Sequence, residues 1–303
     1  MRAFGSSGDL LADRRFAWGQ GLAAEGDHAA ACDLFVQALE RAPHWAAAWM
    51  ALGGSRMRLG DDAGARAAFA EAARLDPADR LGAPLALAAL SAAPAPAAAP
   101  PAYVAKLFDD YAERFDTHLA GALAYRGPAL LRDAIDAERP PPARFARVLD
   151  LGCGTGLMGQ AIRDRADWLG GVDLSTAMVA RAEAKGVYDH LIVGGMEEAL
   201  AGTSRLDLAL AADVLVYQGD LGPVLRAVSG ALGEGGLFAF TLQRAPDGAG
   251  VIVGADLRFA HSGDHLRGAA RDAGLVVLRL AEASTRRDAG RDVPGLVAVL
   301  ARA

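Results

Sequence analysis

Val148-Leu149-Asp150-Leu151-Gly152-Cys153-Gly154-Thr155-Gly156 is the stretch whose reading decides the fold of this chain. An apolar run ends in an acid, glycines spaced G-x-G-x-G follow, and the residues after Gly156 suit a helix. That order reads as a buried strand, a tight turn and a helix N-terminus. Glycine lets the backbone take positive φ and come close to a ligand. The first turn of a helix offers free N–H groups and a partial positive charge. The stretch therefore predicts a loop that cradles a nucleotide-type cofactor; an ordinary strand–turn–helix without a ligand is the alternative.

Two cofactor classes compete on the spacing. Gly154-Thr155-Gly156-Leu157-Met158-Gly159 is a literal G-x-G-x-x-G, the dinucleotide fingerprint. In that fold the first glycine ends the strand, which here is Gly152. Counting from Gly152 puts Leu157 at the third glycine position, so the register fails. A carboxylate at Asp150 would also repel a diphosphate. It suits a cofactor with a cationic amino group, and S-adenosylmethionine (SAM) carries one beside its sulfonium. The run Trp168-Leu169-Gly170-Gly171-Val172-Asp173 predicts a second strand ending in an acid, with a helix from Ser175. Asp173 follows Asp150 by 173 − 150 = 23 residues. An acid there can accept the ribose hydroxyls of NAD or of SAM alike.

On these residues the chain resembles the class I SAM-dependent methyltransferases: Val148 to Gly156 matches their first motif and Gly171-Val172-Asp173 their second. The resemblance implies an α/β fold with a seven-stranded Rossmann-like sheet and a final hairpin. It implies SAM as cofactor and S-adenosylhomocysteine as product. Gly152, Gly154 and Gly156 would pass under the methionine part and Asp173 would hold the ribose, with Cys153, Leu174 and Met178 in the same set. Later strands are expected at Leu191–Val193, Leu206–Ala212, Gly236–Leu242, Leu275–Leu280 and Leu296–Leu300.

A length of 303 residues predicts two domains, and 52% hydrophobic residues supply the cores. A net charge of −6 argues against a nucleic-acid substrate. No apolar run is long enough to span a bilayer, and residues 1–15 lack the apolar core of a signal peptide. Two cysteines, Cys32 and Cys153, in unrelated contexts imply neither a disulfide framework nor a metal cluster, and a cytoplasmic protein is expected.

The N-terminal third repeats itself. Gly19, Ala31, Phe35, Ala38 and Pro43 recur as Gly53, Ala65, Phe69, Ala72 and Pro77, at an offset of 34 residues (53 − 19, 69 − 35, 77 − 43). That period, with small residues where two helices touch and proline after the second, resembles the tetratricopeptide (TPR) repeat. Two repeats bury little core, so a capping helix is expected over 80–91. The reading gives an all-α TPR domain at 12–91, an Ala/Pro linker at 92–101 and a catalytic domain at 102–303. The repeats would bind a protein or peptide partner, or serve a homodimer or a stabilising appendage.

Tyr103, Leu107, Phe108, Tyr111, Phe115 and Leu119 follow helical spacing, with His118 nearby and Asp109, Asp110, Glu113 and Arg114 largely on the other face. The run 107–116 resembles the N-terminal helix of small-molecule methyltransferases of the trans-aconitate and malonyl-carrier-protein type. By that resemblance Tyr111 and Phe115 line the SAM pocket, while Tyr103, Tyr125 and Arg126 are candidates to face the substrate. After the third strand, Gly195 stands where many family members carry an acid; Met196 could pack on adenine and Glu197 could replace that acid. After the fourth strand, Asp213 could be a general base, meet the cationic edge of SAM, position the substrate or cap a helix. Tyr217 would form pocket wall. The Asn-Pro-Pro-Tyr type of motif, which marks amino-group methylation, is absent there.

His261 lies beyond a long loop after the fifth strand; it is either a base facing the substrate or a surface histidine. Arg286, Arg287 and Arg291 are expected on a solvated hairpin tip. No metal site is expected. The resemblance to TPR-containing bacterial methyltransferases covers about residues 15–303 and implies methyl transfer to a small-molecule acceptor, which it does not name. An adaptor that binds SAM without chemistry and an NAD-dependent oxidoreductase are the alternatives.

Overall fold

The computed structural model describes residues 5–90, 95–117, 124–288 and 290–302. His118, Leu119 and residues 92–94 of the proline-rich stretch lie outside them. The chain divides into two compact units, Met1–Tyr103 with Ala255–Leu257, and Val104–Gly254 with Arg258–Ala303.

The first unit is helical. α1 (Leu10–Ala24) pairs with α2 (His28–Arg41), and α3 (Ala46–Arg58) with α4 (Asp62–Leu75). Asp9, Asp27 and Asp61 cap α1, α2 and α4 by accepting backbone N–H groups that a helix start leaves free. One contact occurs twice. A methyl group at Gly19 would lie 2.7 Å from the Phe35 ring, and one at Gly53 would lie 2.5 Å from Phe69. Only hydrogen fits, so each helix pair closes tightly over a buried phenylalanine. Ala31, Ala38, Ala65 and Ala72 are fully buried around these contacts. α5 (Ala83–Ala89) lies within the span where a capping helix is expected.

The second unit is a mixed α/β sheet. β1 (Phe145–Leu151), β2 (Ala166–Asp173), β3 (His190–Val193), β4 (Leu206–Ala211) and β5 (Leu232–Arg244) run parallel in the order β3-β2-β1-β4-β5. β11 (Gly295–Arg302) lies antiparallel between β5 and β8 (Leu275–Glu282), the final hairpin of the expectation. The pleat sends alternate residues to two cores. Leu149, Leu151, Ala209, Ala211, Phe238, Phe240 and Ala298 join one; Val148, Leu208, Leu210, Leu237, Ala239 and Val297 join the other. Burial on both faces accounts for strands that read as unbroken apolar runs.

The seven-strand expectation is corrected: among the described residues the sheet has nine strands. β6 (Val251–Val253) pairs with β7 (Phe259–His261), and β7 pairs parallel with the end of β5. Both have three residues, too few for an alternating pattern to show; β6 falls in the stretch expected to be loop and β7 at its end. β9 (Arg287–Asp288) and β10 (Arg291–Asp292) form a separate two-stranded ribbon. Because β1 lies between β2 and β4, the strand order reverses there. Such a switch point opens a crevice outside the carboxyl ends of the strands. Asp150, the glycine triplet, Asp173 and Asp213 all stand at those ends.

Candidate functional site

Gly152, Gly154 and Gly156 have φ of 67°, 53° and 91°, the left-handed region that glycine enters without strain. A methyl group at Gly152 would lie 2.4 Å from Cγ2 of Val214. The loop is tied to the neighbouring strand: the Gly154 N–H donates to Oδ2 of Asp173 at 2.9 Å and the Ser175 N–H to Oδ1 at 2.8 Å. Each oxygen has further lone-pair capacity for a hydroxyl donor. Burial raises the Asp173 carboxyl from its usual range, with the two N–H donors opposing. Ser175 caps the helix α9 (Thr176–Lys185), Met178 is fully buried and Leu174 is half-buried. Cys153 is buried, and burial pushes its thiol far up, so it is not a nucleophile at neutral pH.

Asp150 is 1% exposed. Its Oδ2 accepts the Tyr188 hydroxyl at 2.7 Å, and its Oδ1 has no hydrogen-bond partner among the described residues. Burial pushes this carboxyl up to about 7; the Tyr188 bond opposes and the Asp173 charge adds. A buried acceptor without a donor is costly, and a cationic N–H donor would satisfy it. The amino group of SAM fits this atom; a diphosphate does not.

An aromatic cover comes from α6 (Pro101–Tyr111), a 3-10 turn (Ala112–Arg114) and Phe115. Ring centroids lie 5.2 Å apart for Tyr111 and Phe115, 6.1 Å for Phe108 and Phe115, and 5.7 Å for Phe108 and Tyr217. A methyl at Gly154 would lie 4.0 Å from Phe115, so the cover reaches the loop. The acids of this segment dock it. Asp109 accepts from the Ser175 hydroxyl at 2.6 Å and the Ala177 N–H at 3.1 Å. Asp116 bonds Thr155 and pairs with Lys185 at 2.7 Å.

Across from the loop, Asp213 follows β4 in a left-handed conformation, φ 58°. Its N–H donates to Oγ1 of Thr241 at 2.8 Å. Its Oδ1 accepts from Thr241 at 3.0 Å and from Thr285 at 3.1 Å, and its Oδ2 lies 3.4 Å from Arg286. Arg286 is 7% exposed, which overturns the hairpin-tip expectation for that residue: its charge is met by Asp213 inside the unit. Arg287 and Arg291 are exposed, and Arg287 pairs with Asp292. The Thr285 carbonyl accepts the Arg126 N–H at 2.7 Å, placing Tyr125 at the mouth of α7 (Gly127–Glu138). Burial, then the Asp213 and Asp150 carboxylates, push the Tyr125 phenol far above its usual range. Tyr125 thus shares its surroundings with both acids, while the Arg126 side chain is exposed.

His261 is fully buried. Its Nε2 meets the Gln218 carbonyl at 2.8 Å, so that nitrogen carries the proton, and its ring stacks on His265 at 5.4 Å. Burial pushes it down to about 4, leaving it neutral at pH 7. Tyr217 is buried with the Arg258 guanidinium over its ring at 5.6 Å. Tyr103 belongs to the helical unit, its ring against Gly82. Met196 packs on a core cluster and Glu197 is exposed at the start of α10 (Met196–Ala201). Tyr188, Thr241, Thr285, Asp109 and Asp116 were not legible as site residues. Their partners lie 28 to 72 positions away, and no local spacing marks them.

The family described as "Methyltransferase domain" matches residues 123–280. The chain is 30% identical over 138 residues to malonyl-acyl-carrier-protein O-methyltransferase of Pseudescherichia vulneris, covering 46% of this chain and 52% of that protein. It is 30% identical over 138 residues to ubiquinone biosynthesis O-methyltransferase of Azorhizobium caulinodans, covering 43% and 54%. The chain thus spans about half the length of these curated relatives. Among solved structures, the fold is similar to 1,6-didemethyltoxoflavin-N1-methyltransferase of Burkholderia thailandensis, with TM-score 0.53 and 21% identity over 69% of this chain and 93% of that one.

Proposed function

We propose that this chain, which belongs to the methyltransferase-domain family, transfers a methyl group from SAM to a small-molecule acceptor and releases S-adenosylhomocysteine. The observation that carries the reading is Asp150: a buried carboxylate with an unused oxygen, two residues before a left-handed glycine loop that is tied to Asp173. When bound, SAM supplies a methyl carbon already activated by its sulfonium. The chain's part is to bind, align and exclude water. In this reading Gly152, Gly154 and Gly156 admit the cofactor, Asp150 takes its ammonium and Asp173 its ribose. Tyr111 and Phe115 cover it, with Cys153, Leu174 and Met178 as packing around the loop.

Asp213 is oriented by Thr241, Thr285 and Arg286 and would position the acceptor, with Tyr125, Arg126 and Tyr217 around it. His261, neutral and enclosed, would act on the site through the Gln218 carbonyl rather than as a base on the substrate. Met196 and Glu197, at the start of the helix after β3, would stand on the adenine side, and Tyr103 is a candidate on the acceptor side.

The helical unit is read as a TPR pair at 12–91, followed by a linker at 92–101 and a catalytic domain at 102–303. The doubled glycine–phenylalanine contact supports that reading. Its concave surface would take a protein or peptide, or a second copy. Among the described residues no helix is long and apolar enough to cross a membrane; the reading keeps the protein in the cytoplasm. Calorimetry tests the cofactor: S-adenosylhomocysteine should bind at micromolar concentration or below and NAD should not. The reverse result sinks the proposal. Metabolite profiling with labelled SAM would name the acceptor.

A further inference from the structure

We propose that Tyr188 is a positioning residue for the cofactor: its hydroxyl holds Oδ2 of Asp150 and leaves Oδ1 as the acceptor for an ammonium. The inference rests on the SAM reading above. Tyr188 precedes β3 and reaches under the glycine loop. Its hydroxyl lies 2.7 Å from Asp150.

Three glycines from separate positions make room for its ring. A methyl group would lie 3.1 Å from the ring at Gly156, 2.4 Å at Gly159 and 3.0 Å at Gly171. Gly159, in α8 (Leu157–Ile162), is the last glycine of the literal dinucleotide match. Its role in this protein is steric: any side chain there would push Tyr188 off Asp150. The chain has built a seat for one phenol, and that phenol makes the one hydrogen bond of the Asp150 carboxylate among the described residues.

Four groups act on this carboxylate or are acted on by it. Tyr188 stabilises the charged form; Asp173, at the end of β2, opposes it. Cys153 in the loop and Tyr125 before α7 both feel the Asp150 charge, and burial keeps both uncharged. Removing the Tyr188 hydroxyl leaves both carboxylate oxygens without a donor, so the proton is held to higher pH. An ammonium would then bind only by displacing that proton.

The first measurement uses no ligand. Asp150 is titrated by carboxyl carbon NMR in the full chain, with D150N to assign the signal. Y188F should raise the midpoint above that of the wild type, and an unchanged midpoint overturns the proposal. The second is S-adenosylhomocysteine binding by calorimetry between pH 6 and 8. Wild-type affinity should fall as pH drops below about 7, following the carboxyl. Y188F should bind about tenfold more weakly at pH 7, the scale of one hydrogen bond to a charged group. In a D150N background Y188F should have no further effect. If Y188F weakens D150N as much as it weakens the wild type, Tyr188 acts by packing and the proposal fails. Absence of binding to the wild type overturns the cofactor reading and this proposal with it, and the ligand-free titration tells that failure from one of Tyr188 alone.

Discussion

The backbone N–H of Gly154 donates to Oδ2 of Asp173 at 2.9 Å, so the turn after β1 and the acid ending β2 form one rigid unit. The carboxylate sets the loop's shape and keeps lone pairs for a ligand. Asp173→Ala should weaken S-adenosylhomocysteine binding by more than about tenfold, because it removes both functions. Asp173→Asn, which can still accept the Gly154 N–H, should lose less. Calorimetry on the two variants checks the order, and equal losses would separate loop shape from ribose binding.

Asp213 stands in the left-handed region with a buried arginine against it. Asp213→Ala removes the carboxylate that lies 3.4 Å from the Arg286 guanidinium and puts an unsuited residue at φ 58°. The expected cost is about 3 kcal/mol or more. Asp213→Asn tolerates that backbone and keeps acceptors for Thr241 and Thr285, so it should cost clearly less. Denaturant midpoints decide this. If the two variants match, the Asp213–Arg286 pair and the backbone conformation contribute nothing separable.

The helical unit offers a built-in control. Gly19→Ala and Gly53→Ala place a methyl within 2.7 and 2.5 Å of buried phenylalanine rings, and overpacking of this kind costs about 1–3 kcal/mol. Gly54 lies in the same helix as Gly53 and has nothing within 4 Å of such a methyl. There alanine should stabilise by roughly 0.5–1 kcal/mol through helix propensity. Opposite signs at adjacent positions are the expected outcome in thermal or chemical unfolding.

Two buried groups bend the stability curve in opposite directions. Asp150 holds its proton in the folded state up to about 7 and releases it near its ordinary value, 3.8, when unfolded. The folded state therefore binds more protons across that window, and this group's contribution falls as pH rises through it. His261 stays neutral in the folded state down to about 4 but protonates near 6.5 when unfolded. Its contribution is lost as pH falls through that window. Relative to the wild type, Asp150→Asn should therefore gain stability as pH rises from 4 to 7. His261→Gln should gain as pH falls from 6.5 to 4. Urea midpoints across pH 4.5–7 measure both slopes, and turnover of His261→Gln tests whether its place is positional.

The order of strand, glycine turn, helix and second acid was readable because it is written in local chemistry. Glycines mark positive φ, an apolar run marks a strand buried on both faces, and Ser175 marks a helix start. The doubled contact of the helical unit was readable for the same reason, as identical small and aromatic residues at a fixed offset. The short strands β6 and β7 were not, since three residues carry no period. Arg286 looked like a surface charge because its partner, Asp213, is 73 positions away.

By itself the sequence determined the fold class, the left-handed glycine loop and the acids at Asp150 and Asp173, all consequences of backbone freedom and burial within a few residues. Tertiary structure alone decided which groups surround those acids. It seated Tyr188 on Asp150 over three glycines, closed Thr241, Thr285 and Arg286 around Asp213, and enclosed His261. Those pairings follow from the parallel sheet, which brings distant strand ends to one edge, and no sequence spacing encodes them.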